Sequence, residues 1–177
     1  KPDPVKAELA LAKEAFDQGR YLEPAGESAL DLYRSALALD PNNVEARAGV
    51  RSVVDKVLER AEAALLGERL EEAIRNIEMA RDIDAAHPRL AFMDAQIARE
   101  RERLQLTQAQ EVGNRVRALV AQANARMSSG RLITPSGASA RDALLEARRL
   151  DPTDPTVAQG VRQLAGLLAT EARNALD

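Results

Sequence analysis

A phrase that recurs with its glycines and prolines in register leaves a chain few folds to choose from. "GRYLEPAGESALDLYRSALALDP", Gly19 to Pro41, returns as "GRLITPSGASARDALLEARRLDP", Gly130 to Pro152. The offset of 111 holds without a gap from Gly19–Leu65 to Gly130–Leu176. It pairs Pro24 with Pro135, Gly26 with Gly137, Ser28 with Ser139, Asp40-Pro41 with Asp151-Pro152, and Gly49 with Gly160. Gly and Pro punctuate local structure, so their agreement marks a repeated structural unit and not shared composition alone. A third copy, "GERLEEAIRNIEMARDIDAAHP", Gly67 to Pro88, lies between the other two. Aligned on Gly67, it lacks the Pro-x-Gly phrase and is four residues shorter from its Gly to its Asp.

The spacing within each copy predicts helices. Ala29, Tyr33, Ala36 and Leu39 fall on one helical stripe, as do Ala73, Ile77, Ala80 and Ile83, and Ala140, Leu144, Ala147 and Leu150. Alanines on such a stripe let a neighbouring helix approach closely. Ser28 with Asp31, and Ser139 with Asp142, have the spacing of a capping box at a helix start. Asp40-Pro41 and Asp151-Pro152 end that helix, because the residue before proline is pushed out of the α region. Asn43, His87 and Asp154 then take the N-cap of the next helix, with Pro88 and Pro155 in its first turn.

The chain therefore reads as all-α, with helices at about 4–18, 28–39, 44–66, 70–83, 88–128, 139–150 and 155–176. The 88–128 segment carries apolar residues at both ends, Leu90, Met93 and Ile97, then Val112, Val116, Leu119 and Ala123, around a charged middle. It reads as one connecting helix of roughly 60 Å, with a break near Thr107–Gly113 as the alternative. The organisation expected is residues 1–106 for the first two hairpins, and 107–177 for the third with a C-terminal helix.

Composition closes off several functions. Net charge is −3 with acids and bases interleaved, so no basic face marks a nucleic-acid binder. Cysteine is absent, which excludes disulfides, thiolate nucleophiles and zinc–cysteine sites. No apolar run approaches the roughly 20 residues that span a bilayer, so direct membrane insertion is not expected. The opening Lys-Pro-Asp-Pro-Val has neither an initiator methionine nor a signal peptide, and reads as a linker tail within a longer protein.

Chemistry-bearing patterns also give way to structural ones. Gly26-Glu27-Ser28 lacks the second glycine and the strand of a nucleophile elbow, and Ser28 reads as a cap. Asp40-Pro-Asn42-Asn43 and Asp151-Pro-Thr-Asp154 lack the Gly and Glu of a calcium loop. No phosphate-binding glycine loop, paired catalytic carboxylates or metal-spaced set occurs, so the chain reads as non-enzymatic, with no cofactor and no metal. Tyr33, Tyr21, Phe92 and Met93 read as core.

"AKEAFDQGRY…ALDLYRSALALDPNN" resembles a tetratricopeptide repeat. The resemblance covers the Ala-rich first helix, the Gly before the turn, the Ala–Tyr–Ala–Leu second helix and the closing Leu-Asp-Pro-Asn-Asn. It implies divergent helical hairpins, about three units, whose first helices line a groove for another protein or peptide. In such domains Lys6, Lys13 and Asn124 fall at groove-facing positions, and they are the candidate partner-binding residues. The Pro-x-Gly phrase is also similar to segments of bacterial envelope proteins, among them TonB-type energy transducers, and of bacterial signalling proteins. That likeness implies a periplasmic interaction module in a larger protein, with the cytoplasm as the alternative compartment. A rival role is a spacer or homodimerisation element built on the long helix.

Overall fold

The computed structural model describes Asp3–Leu176; Lys1, Pro2 and Asp177 lie outside the described residues, and with them half of the Lys-Pro-Asp-Pro opening. The described residues are all-α, in seven helices: α1 (Pro4–Asp17), α2 (Ala29–Leu39), α3 (Val44–Leu66), α4 (Leu70–Ile83), α5 (Arg89–Ser128), α6 (Ala140–Leu150) and α7 (Pro155–Asn174). The 40-residue α5 is continuous, with no break at Thr107–Gly113. Two compact units divide within it, at Lys1–Arg101 and Glu102–Asp177.

Polar caps set the helix starts as their spacing predicts. Ser28 Oγ accepts from the Asp31 amide and donates to Asp31 Oδ2 at 2.8 Å, while Gly26 N donates to the same carboxylate. In the second unit Ser139 and Asp142 form the full reciprocal box. Both serines are buried, so each hydroxyl must be satisfied locally, and it is. Asn43 caps α3 through the Ala46 amide, and Asp154 caps α7 through the Thr156 and Val157 amides. Glu23–Pro24 and Thr134–Pro135 are both cis, each followed by a glycine at positive φ, Gly26 or Gly137.

The Ser139 hydrogen bonds hold the Asp142 carboxyl below its ordinary range, and the Thr156 hydroxyl does the same for Asp154. A carboxylate depressed on folding contributes stability above its unfolded pKa and loses it as pH falls through the lower, folded value. Acid titration of the chain is therefore expected to weaken these two caps below about pH 4. Asp142→Asn with Asp154→Asn flattens that part of the pH–melting profile; an unchanged acid limb would count against it.

One hydrogen-bonded turn occurs three times. Gly19 N bonds Phe16 O and Arg20 N bonds Ala15 O; Gly130 N bonds Met127 O and Arg131 N bonds Arg126 O. Between them, Glu68 N bonds Leu65 O and Arg69 N bonds Ala64 O. The left-handed residue of the middle turn is thus Glu68 (φ 57), and not Gly67, which caps α3 at negative φ. The alignment on Gly67 is off by one. A non-glycine residue held left-handed costs about 1–2 kcal/mol. Glu68→Gly is accordingly expected to raise the melting temperature of the first unit, while Gly67→Ala, at ordinary φ, lacks that gain.

The first unit holds two joined clusters. Leu9, Ala12 and Ala15 of α1 meet Ala29, Tyr33 and Ala36 of α2 and Val53 of α3. Val54, Val57, Leu58, Ala61 and Ala64 of α3 meet Ala73, Ile77 and Ala80 of α4 with Leu90, Met93 and Ile97 of α5. The second unit packs Ala123 and Met127 of α5 against Ala140, Ala143 and Leu144 of α6 and Leu164 of α7. Val116 and Leu119 complete it with Ala147 and Val157. The last residues of the outer stripes, Leu39 and Leu150, do not join these cores; they are exposed where the chain turns toward Asp40 and Asp151.

Both tyrosines and both phenylalanines lie in the first unit. Burial, then Glu45 and Asp17, push the Tyr33 hydroxyl up. Tyr21 is half-buried, edge-on to Phe16 at 5.0 Å, with the Arg60 guanidinium 5.4 Å above its ring.

Candidate interaction surface

Where α3 and α5 run side by side in the first unit, Leu65, Leu66, Phe92 and Met93 line a cleft of about 420 Å³ rimmed by Glu62, Gln96 and Glu100. Met93 is buried as its sequence context predicts, but Phe92 is 54% exposed and Leu66 88%. The reading of Phe92 as core is therefore corrected. Met93 and Leu90, on the inward side of α5, take the core, and Phe92, between them in sequence, is turned to the cleft mouth. An aromatic ring and a leucine held open beside acidic groups is an arrangement that favours contact with an apolar partner surface.

One end of this cleft is fixed by an ion cluster. Arg89, the first residue of α5, donates Nη1 to Asp55 Oδ1 at 3.0 Å and Nη2 to Glu62 Oε1 at 2.5 Å, both on α3. The Glu62 hydrogen bond, opposed by partial burial, raises the Arg89 pKa further. Beside it His87 is 4% exposed, its Nδ1 accepting from Arg89 N at 3.4 Å and its Nε2 3.5 Å from Asp55 Oδ1. His87 does sit at the start of α5, its Nδ1 toward the Arg89 amide, while Arg89 ties that start to α3.

The candidates Lys6, Lys13 and Asn124 are all exposed. They do not form one site: Lys6 and Lys13 lie on α1 of the first unit, and Asn124 on α5 in the second. Counted back from the three left-handed residues, Lys6 and Lys13 correspond to Asp55 and Glu62, and to Arg117 and Asn124. The middle pair of this set, absent from the candidates, is the pair that grips Arg89, and Glu62 of that pair also rims the cleft. Its signal was present in the spacing, but the one-residue shift at Gly67 concealed it.

No three His, Cys, Asp or Glu side chains are grouped to hold a metal ion, and no helix is long and apolar enough to cross a membrane, among the described residues. Comparison with known protein families, curated proteins and solved structures gives no match.

Proposed function

We propose that this chain is a non-catalytic protein-interaction module, built of divergent tetratricopeptide-like hairpins within a larger bacterial envelope or signalling protein. It recognises a partner protein or peptide through the surface made by the first helices of its hairpins. The observation that carries this reading is the open α3–α5 cleft, where Leu66 and Phe92 stay exposed above a buried Met93. The threefold turn at Gly19, Glu68 and Gly130 supports the hairpin repeat. A periplasmic setting follows from the similarity of the Pro-x-Gly phrase to envelope segments.

The test is capture from a bacterial periplasmic extract on the immobilised chain. One protein retained reproducibly, and lost with Leu66→Asp/Phe92→Asp, supports the reading; both sites are exposed, so melting of the variant is expected to be unchanged. Equal retention by the double variant would remove the cleft from it.

The exposed middle of α5 favours a spacer as the second reading: from Arg101 to Val112 every side chain is exposed except the half-buried Leu104. A stretch that buries no stripe adds length without adding a core. Seven residues inserted after Thr107, about two turns, leave both units folded in this reading and abolish function in the full-length protein. Partner capture is untouched by that insertion if recognition belongs to the first unit. Should the middle instead dimerise, Leu104→Glu yields monomers by light scattering.

A further inference from the structure

We propose that the hollow beside the first Pro-x-Gly loop binds a carboxylate side chain, aspartate or glutamate, of a partner peptide. The inference rests on the interaction-module reading and names a second site within it, lined by other residues than the α3–α5 cleft. Gly19, Tyr21, Leu22 and Glu23 of the loop meet Arg60 of α3 and Met79 of α4 around about 440 Å³. The Arg60 guanidinium lies over the Tyr21 ring, 5.4 Å from its centroid. Among the described residues it makes no hydrogen bond or ion pair, and neither does the Tyr21 hydroxyl. A guanidinium held against a ring keeps its forked N–H donors, which match a carboxylate through two parallel bonds. Met79 is exposed and Leu22 half-buried, so both offer apolar contact to the methylenes of such a side chain.

The repeat itself provides the comparison that singles out this pair. Tyr21 stands two residues past Gly19, and Leu70 and Leu132 stand two past Glu68 and Gly130. Leu132 is 4% exposed, so a leucine fills that place within a core. At the 111-residue offset Glu171 takes the place of Arg60, and both are exposed. The unit thus folds without the ring and without the cation. Their meeting in one hollow is the observation that points to a ligand. Charge narrows the ligand further. Lys56, one turn before Arg60, is already paired with Glu59 at 2.8 Å. Glu23 lines the hollow with Arg60, yet no ion pair joins them. One unpaired cation beside one unpaired anion suits a single negative charge held at Arg60. A phosphate group, with a charge of about −2, would face a lining of no net charge. Glu23 opposes the carboxylate that Arg60 attracts, and so holds its affinity down.

The experiment titrates the isotope-labelled full chain with glutamate blocked as its N-acetyl N-methylamide, followed by amide NMR shifts. Saturable shifts are expected in the millimolar range, confined to residues 19–23, 60 and 79 and their neighbours. The blocked glutamine, neutral and of the same shape, gives none. Arg60→Gln weakens binding by about tenfold or more, the effect of losing one charge-assisted pair. Arg60→Lys, with the charge but not the fork, falls between, and Glu23→Gln tightens binding. Both sites are exposed, so melting of these variants is expected to be unchanged. The proposal is overturned if the shifts do not saturate, if blocked glutamine binds as well, or if Arg60→Gln binds like the parent. Inorganic phosphate binding more tightly than blocked glutamate overturns it too, since the hollow would then be a phosphate site. If the titration fails while capture from extract is still lost with Leu66→Asp/Phe92→Asp, this site falls and the cleft reading stands.

Discussion

Gly49→Ala is expected to destabilise the first unit by about 2 kcal/mol, while the same change at the equivalent Gly160 is close to neutral. A Cβ at Gly49 would lie 2.3 Å from both Cε1 and Cζ of Tyr33, inside a rigid ring that is itself buried. At Gly160 it would meet Leu144 Cδ2 at 2.7 Å, and every other atom at 3.7 Å or more. One methyl can rotate away; a tyrosine ring wedged between helices must move whole. Overpacking of this kind costs about 1–3 kcal/mol. Alanine's helix propensity returns about 1 kcal/mol against glycine. The tyrosine contact exceeds that return and the leucine contact does not. Tyr33→Leu, which copies the second unit's pair, is expected to recover most of the loss in Gly49→Ala. Denaturant midpoints of the four chains check this, and equal losses at Gly49 and Gly160 would refute it.

Met93→Ala gives the other large effect, a loss of about 2–5 kcal/mol for a fully buried methionine. Its position makes the change informative. Counted from Asn43, His87 and Asp154, Met93 of α5 stands where Gly49 and Gly160 stand on α3 and α7; counted back from the C-caps Asp40, Asp84 and Asp151, Ile77 of α4 stands where Tyr33 and Leu144 stand. The layer is filled by a large residue on the second helix and none on the next in two cases, and by two middle-sized residues in the third. Ile77→Tyr alone overpacks and Met93→Gly alone leaves a void. The double variant restores the Tyr–Gly pair, so its loss is expected to be smaller than the sum of the single losses. A double-mutant cycle measures the difference. Strict additivity would mean that residues 77 and 93 do not share that layer.

Most helix ends were legible because the residues that make them act locally. Ser28, Ser139, Asn43 and Asp154 accept amide hydrogens within three positions of themselves, and prolines at 41 and 152 stop what precedes them. Glu68 was illegible for the complementary reason: nothing in a glutamate announces a left-handed backbone, and Gly67 beside it invited the wrong register. Phe92 misled because the sequence shows its apolar neighbours and not which side of α5 they occupy. The grip of Asp55 and Glu62 on Arg89 spans 34 and 27 residues of chain, and no local rule reaches that far.

The absence of aromatic residues from the second unit makes that half of the molecule optically silent. Its buried side chains are Ala, Val, Leu, Met and one serine, so its largest apolar contributions are single leucines and methionines, not rings. With fewer and smaller buried groups it is expected to open first on heating. Tyrosine absorbance and emission, which arise only from Tyr21 and Tyr33, are expected to show no transition at that event while helical circular dichroism falls. Two transitions seen by one probe and a single, later one by the other are the signature of a chain whose chromophores all sit in its sturdier half.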